Sequence, residues 1–137
     1  MRHLEKTYRV HFTRAQERVC TLRRRLAAGL LPPGEAMTDL VAILYGEDYT
    51  ASVIAALALG EHGTADAIVP LVETLLWSDD DHRFLSRQLR CAALHALDRI
   101  GRGDDLAENA LFAARWDHDS EVAERARGLT PQLDLAS

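Results

Sequence analysis

The stretch "AALALGEHGTADAIVPLVETL", residues 55–75, decides the fold, because the chain nearly says it twice. At a shift of 38, "ALHALDRIG" (93–101) lies over its beginning: Ala55 on Ala93, Ala58 on Ala96, Leu59 on Leu97, Gly63 on Gly101 and, further on, Ile68 on Leu106. A shift of 31 carries Met37, Leu40, Val41 and Leu44 onto Ile68, Leu71, Val72 and Leu75, and "SEVAERARGL" (120–129) starts a third copy. Self-similarity at such a period marks a chain built from stacked supersecondary units. Apolar residues three and four apart mark helices, and no segment alternates as a strand does. The predicted class is all-α. Each unit is two helices of about a dozen residues across a Gly-containing turn, with small alanines allowing close approach and leucines filling the space between pairs.

These residues resemble a known repeat. The pattern A-A-x-A-L-G-x-I-G-D-x-x-A-V-P-x-L of the HEAT-like repeat in the phycobilisome bilin lyase group is met by Ala55, Ala56, Ala58, Leu59, Gly60, Gly63, Ala67, Val69, Pro70 and Leu71. The second copy keeps Ala93, Ala96, Leu97, Ile100 and Gly101, with Asp98 for a glycine and Glu108 for the proline; His62 stands for the isoleucine in the first. The match covers about residues 50–130, and 34–46 fits as one second helix. The resemblance implies a short right-handed α-solenoid of HEAT-like helix pairs over 34–130 and says little of function, because one fold serves many. It raises bilin-lyase-like chromophore handling as one alternative and supplies no pigment-binding residue, so no cofactor is expected.

Working outward, 137 residues suit a single domain, with 1–33 an N-terminal helix and break and 131–137 a tail. Leu4, Tyr8, Phe12, Ala15, Val19, Leu22 and Leu26 form one helical stripe before "GLLPPGE" ends it. That stripe is expected to cap the first unit, or else to pair with a partner's helix or with a second copy of the chain. The charge is uneven: residues 1–33 carry +6 and the remainder −11. An acidic body argues against nucleic acid as the main ligand, the arginine-rich first helix being the one route to it. No apolar run approaches the length of about 20 residues a membrane helix needs, and "MRHLEKTYRVHF" lacks a signal-peptide centre, so the expected location is the cytoplasm. Arginine outnumbers lysine fifteen to one beside abundant alanine, which suggests a GC-rich bacterial source. Cys20 and Cys91 lie in helical patterns without CxxC spacing and read as thiols, Cys91 in the core.

Two acid-rich clusters, "WSDDDH" (77–82) and "WDHDS" (116–120), invite a metal through His82 and His118. They fall at equivalent turns, however, where an aspartate accepts from the free N–H groups of the next helix, with Asp119 or Ser120 as the last such cap. Capping explains their recurrence. Asp79, His82 and Ser86 have a triad's composition and no triad motif, and neither HExxH, a Walker loop nor GxSxG is present. An enzyme is not expected. The expected activity is protein binding, as an adaptor, assembly factor or inhibitor, along the ridge of the second helices. Taking 100° per residue, Asp66, Pro70, Glu73 and Trp77 share that ridge; the shifts add Asp104, Glu108, Leu111 and Arg115 on one side and Glu35 and Asp39 on the other. Carboxylates around Trp77 would suit a basic segment of a partner. Arg83, Arg87 and Arg90 read as a solvated outer face paired with Asp79–Asp81.

Overall fold

The computed structural model describes residues 12–129, so Leu4, Tyr8 and the tail 131–137 lie outside it. Seven α-helices and no strand are present among the described residues. Thr13 opens α1 (Arg14–Ala27) with a capping box: its Oγ accepts from the Gln16 N–H, and the Gln16 side chain accepts from the Thr13 N–H. Val19 and Leu26 are buried, with Ala15 and Leu22 packed beside them, while Phe12 is exposed. α2 (Pro33–Leu44) starts at its proline, so the break is shorter than "GLLPPGE" suggests; a missing N–H costs nothing at that position. α3 (Tyr49–His62) follows Asp48, and a 3-10 turn at Ala65–Ala67 leads into α4 (Ile68–Leu76). A second 3-10 turn, Asp80–His82, precedes the long α5 (Arg83–Ile100). α6 (Asp105–Ala113) runs through a turn at Ala114–Trp116, and α7 (Ser120–Leu129) ends the described chain.

The helices form two rows. α1, α3, α5 and α7 pack successively in one, while α2 meets the turn leading into α4, and α4 meets α6, in the other. The core lies between the rows. Met37, Leu40 and Leu44 of α2 and Ile68, Leu71, Val72 and Leu75 of α4 are buried in matching positions, as the shift of 31 requires. The seam between α3 and α5 is the most extensive contact among the described residues, and alanine dominates what both helices bury: Ala51, Ala55, Ala56 and Ala58 on α3, Ala92, Ala93 and Ala96 on α5. Where the two helices meet at Gly60, a Cβ there would lie 2.9 Å from Ala96 Cα. Gly63 and Gly101 close the two helices where a Cβ would strike the carbonyl of Leu59 (2.1 Å) or Leu97 (2.7 Å), which gives both glycines of the repeated pattern a physical reason. No helix among the described residues is long and apolar enough to cross a membrane.

α1 docks on its own chain. Arg18 meets Asp39 at 2.8 Å, and Arg23 grips Glu61 with two bonds of 2.8 Å. The basic first helix and the acidic body thus meet in cis over 14–27. These exposed pairs contribute about 0–1 kcal/mol each, so the apolar stripe does most of the holding.

His95, partly buried on α5, has its Nε2 3.4 Å from Arg125 of α7. Burial, then the Arg125 charge, outweigh Asp98 and keep its pKa below the ordinary imidazole value. A histidine that is harder to protonate folded than unfolded stabilises fully above about pH 6.5, and loses that contribution as pH falls from there toward its own lower pKa. Urea unfolding from pH 7 to pH 5 should show stability declining, with the decline reduced in His95→Gln; identical pH profiles for the two proteins would refute this.

Candidate functional site: an aromatic, acid-rimmed cleft

Three loop aspartates each hold two helices. Asp48 caps α3, accepting from the Ala51 N–H at 3.0 Å, and also accepts from Thr13 (2.5 Å) and Gln16 (3.2 Å) at the start of α1. Asp79 accepts from the Asp81 N–H at 3.0 Å and from the Tyr49 hydroxyl, at the start of α3, at 2.5 Å. Asp119 caps α7 through the Glu121 and Val122 N–H groups and accepts from Arg87 of α5 at 2.9 Å. The acid-rich clusters therefore cap, and they also clamp each first helix to the next. The hydrogen bond from Thr13 holds the Asp48 carboxyl below the usual carboxylate range, and those from Tyr49 and His82 do the same for Asp79.

Of the three arginines expected to form a solvated face of α5, Arg83 is exposed, while Arg87 and Arg90 are engaged within the fold. Arg90 is 3% exposed, donating to the Leu75 carbonyl at 2.7 Å and to both oxygens of Asp117 at 2.5 and 3.0 Å. Arg87 pairs with the following loop, at Asp119, instead of Asp79–Asp81. Both side chains reach forward from α5 to the loop that opens the next unit. Ser86 is buried and accepts from the Asp79 N–H at 3.2 Å, which gives it a structural role in the loop.

Between the C-terminal ends of α2 and α4 lies a cleft of about 510 Å³. Leu44 and Leu89 form its apolar base; Tyr45, Tyr49, Trp77 and His82 supply rings, and Glu47, Glu73 and Asp79 supply carboxylates. Trp77 stacks on Tyr49 with centroids 5.9 Å apart and planes 23° apart, leaving the indole 46% exposed. His82 tilts against the same tyrosine at 5.7 Å and places its Nδ1 3.0 Å from Asp79. Burial, then the bond to and charge of Asp79, push the Tyr49 hydroxyl up to about 12, so it stays a protonated donor. Burial and the neighbouring Glu73 carboxylate also raise Tyr45. Among the described residues no lysine or arginine lines the cleft, and residues 26–82 contain ten Asp and Glu and neither Lys nor Arg. The resulting field favours cations.

Of the ten residues predicted to form one face, the structure brings Glu73 and Trp77 into this cleft. Glu35 and Asp39 border a shallow recess against α1, where Arg18 already pairs with Asp39. Asp66 is exposed at the other end of α4. Asp104 caps α6 through the Ala107 N–H, and Glu108 accepts from the Gly103 N–H at 3.0 Å. Leu111 and Arg115 do not belong on the ridge. They are only 4% and 6% exposed, and Arg115 lies 5.5 Å from the Phe112 ring centre and 5.3 Å from that of Trp116. The reason is the turn Gly101–Asp104, two residues longer than its counterpart after Gly63. The shift of 38 that holds for the first helices becomes 40 for the second, putting Leu111 on buried Leu71 and Ala107 on buried Ala67.

Tyr45, Tyr49 and Glu47 were missed by reading the ridge alone. The signal lay in "YGEDY" (45–49), a loop one unit before Trp77 and so its neighbour in the stack. Among the described residues no three His, Cys, Asp or Glu side chains converge to hold a metal ion. Searches of protein-family models, curated proteins and solved structures find no match to this chain.

Proposed function

We propose that the protein is a non-enzymatic binding module that receives a basic segment of another protein in the cleft between α2 and α4. The carrying observation is the half-exposed Trp77, stacked on Tyr49 in a cleft lined by carboxylates and, among the described residues, by no lysine or arginine. An aromatic anchor supplies buried area, and the surrounding charge steers a cationic partner. In this reading the helix pairs are HEAT-like units of a short right-handed α-solenoid in a bacterial cytoplasm. The protein then acts by occlusion or scaffolding, as an adaptor, assembly factor or inhibitor does, without cofactor or chemistry. The sequence-based ridge contracts to its Glu73–Trp77 end; Asp66, Asp104 and Glu108 contribute long-range field.

A mixed Arg/Lys peptide should bind with an affinity that falls as salt is raised, and an acidic peptide of equal length should not bind. Trp77→Ala and Glu73→Arg should each weaken binding about tenfold, a difference of about 1.4 kcal/mol, with thermal unfolding little changed. Glu108→Arg, outside the cleft, should have a smaller effect that vanishes at high salt. Unchanged affinity in both cleft variants would remove the cleft from consideration.

A further inference from the structure

The shape and occupancy of the cleft go further than net charge. Resting on the basic-segment reading, we infer that the cleft selects arginine over lysine. One guanidinium lies flat against the exposed face of Trp77, and the carboxylates of Glu73 and Glu47 accept its N–H groups. The platform is fixed in advance, because Trp77 stacks on Tyr49, and Tyr49 is tied to Asp79. Asp79 already accepts from Tyr49 and the Asp81 N–H, with His82 beside it, so it belongs to the platform. Glu47 and Glu73 remain as the carboxylates facing an incoming group, Glu73 also accepting from the Tyr45 hydroxyl through one of its lone pairs.

A planar, weakly hydrated guanidinium stacks on an indole while offering N–H groups edgewise to carboxylates; an ammonium is compact, strongly hydrated and has no face to stack. The chain solves the same problem one unit later. There the loop tryptophan, Trp116, has the guanidinium of Arg115 5.3 Å from its ring centre, supplied in cis. At Trp77 the corresponding neighbours are a tyrosine and carboxylates, and among the described residues the cleft lining offers no arginine. The partner supplies it in trans.

The test uses the full chain carrying Trp116→Phe, which leaves Trp77 as the only tryptophan. It is titrated at one ionic strength with arginine-rich and lysine-rich peptides of equal length, spacing and charge, following Trp77 fluorescence. The arginine peptide should bind about tenfold tighter and change the emission. Glu73→Gln, with circular dichroism unchanged, should lose most of that preference. Equal affinities for the two peptides would overturn the arginine assignment while leaving the basic-segment reading intact. Binding of neither peptide would overturn both. A preference that survives Glu73→Gln and leaves Trp77 emission unchanged would place the selectivity elsewhere and overturn the inference.

Discussion

Asp117→Ala should destabilise the fold by about 3–5 kcal/mol, the cost of breaking a buried ion pair from one side. Arg90 is almost fully enclosed and has two anchors, the Leu75 carbonyl at the end of α4 and the Asp117 carboxylate after α6. Removing the carboxylate leaves a buried guanidinium with one neutral acceptor. It also frees the Asp119 N–H, which donates to Asp117 at 2.9 Å. Burial pushes the Asp117 carboxyl up, yet the bonds from Arg90 and Asp119 leave it below the usual range, so the ionised pair is the folded form. Domains of this size have about 5–15 kcal/mol in total, so the variant should lie near its unfolding threshold. Arg90→Met with Asp117→Ala should recover much of the loss, because no charge is then stranded. Urea midpoints of the wild type, both single variants and the double variant give the coupling. A cost below about 1 kcal/mol for Asp117→Ala would show that solvent reaches Arg90.

Gly60→Val should cost about 2–3 kcal/mol, the upper part of the usual range for overpacking. The first added atom would lie 2.9 Å from Ala96 Cα and 3.1 Å from Ala96 Cβ, so the obstacle is backbone and not a side chain free to swing away. Two further methyl groups must then enter the α3–α5 seam. Gly60→Ala separates the components. Alanine gains about 1 kcal/mol of helix propensity against the same first contact, and its net effect should be far smaller than that of valine. Thermal unfolding of both variants measures the difference; equal effects would mean that α3 and α5 shift apart freely.

The all-helical class, the pairing of helices and the buried set Ile68, Leu71, Val72 and Leu75 were legible because periodicity reports which side of a helix is covered. The cap aspartates were legible for the same kind of reason, their hydrogen bonds being local. What failed was anything needing the exact phase between units. Two extra residues after Gly101 rotate α6 so that Leu111 and Arg115 turn inward, and no pattern within α6 announces it, since a charged Arg115 there reads as surface. Arg87 and Arg90 misled similarly, their acceptors lying about thirty residues ahead. Half the cleft was visible as Trp77 and Glu73. The other half, Tyr45, Glu47 and Tyr49, comes from a loop that only stacking brings alongside.

The clamps between successive first helices have a property beyond their strength. The donor changes at every junction, from the amide and hydroxyl of Gln16 and Thr13 to the phenol of Tyr49 and the guanidinium of Arg87, while the acceptor is an aspartate each time. A joint with one constant half is indifferent to its neighbour's identity. A copied unit inserted at such a joint would find an acceptor ahead of it and present one to whatever lies behind. Growth or loss by whole units would therefore keep an acceptor at every joint, whereas an insertion of a few residues turns the next helix, as the turn after Gly101 turns α6. The architecture is in this sense punctuated: its aspartates mark where the chain can be cut and joined without rewriting the text on either side.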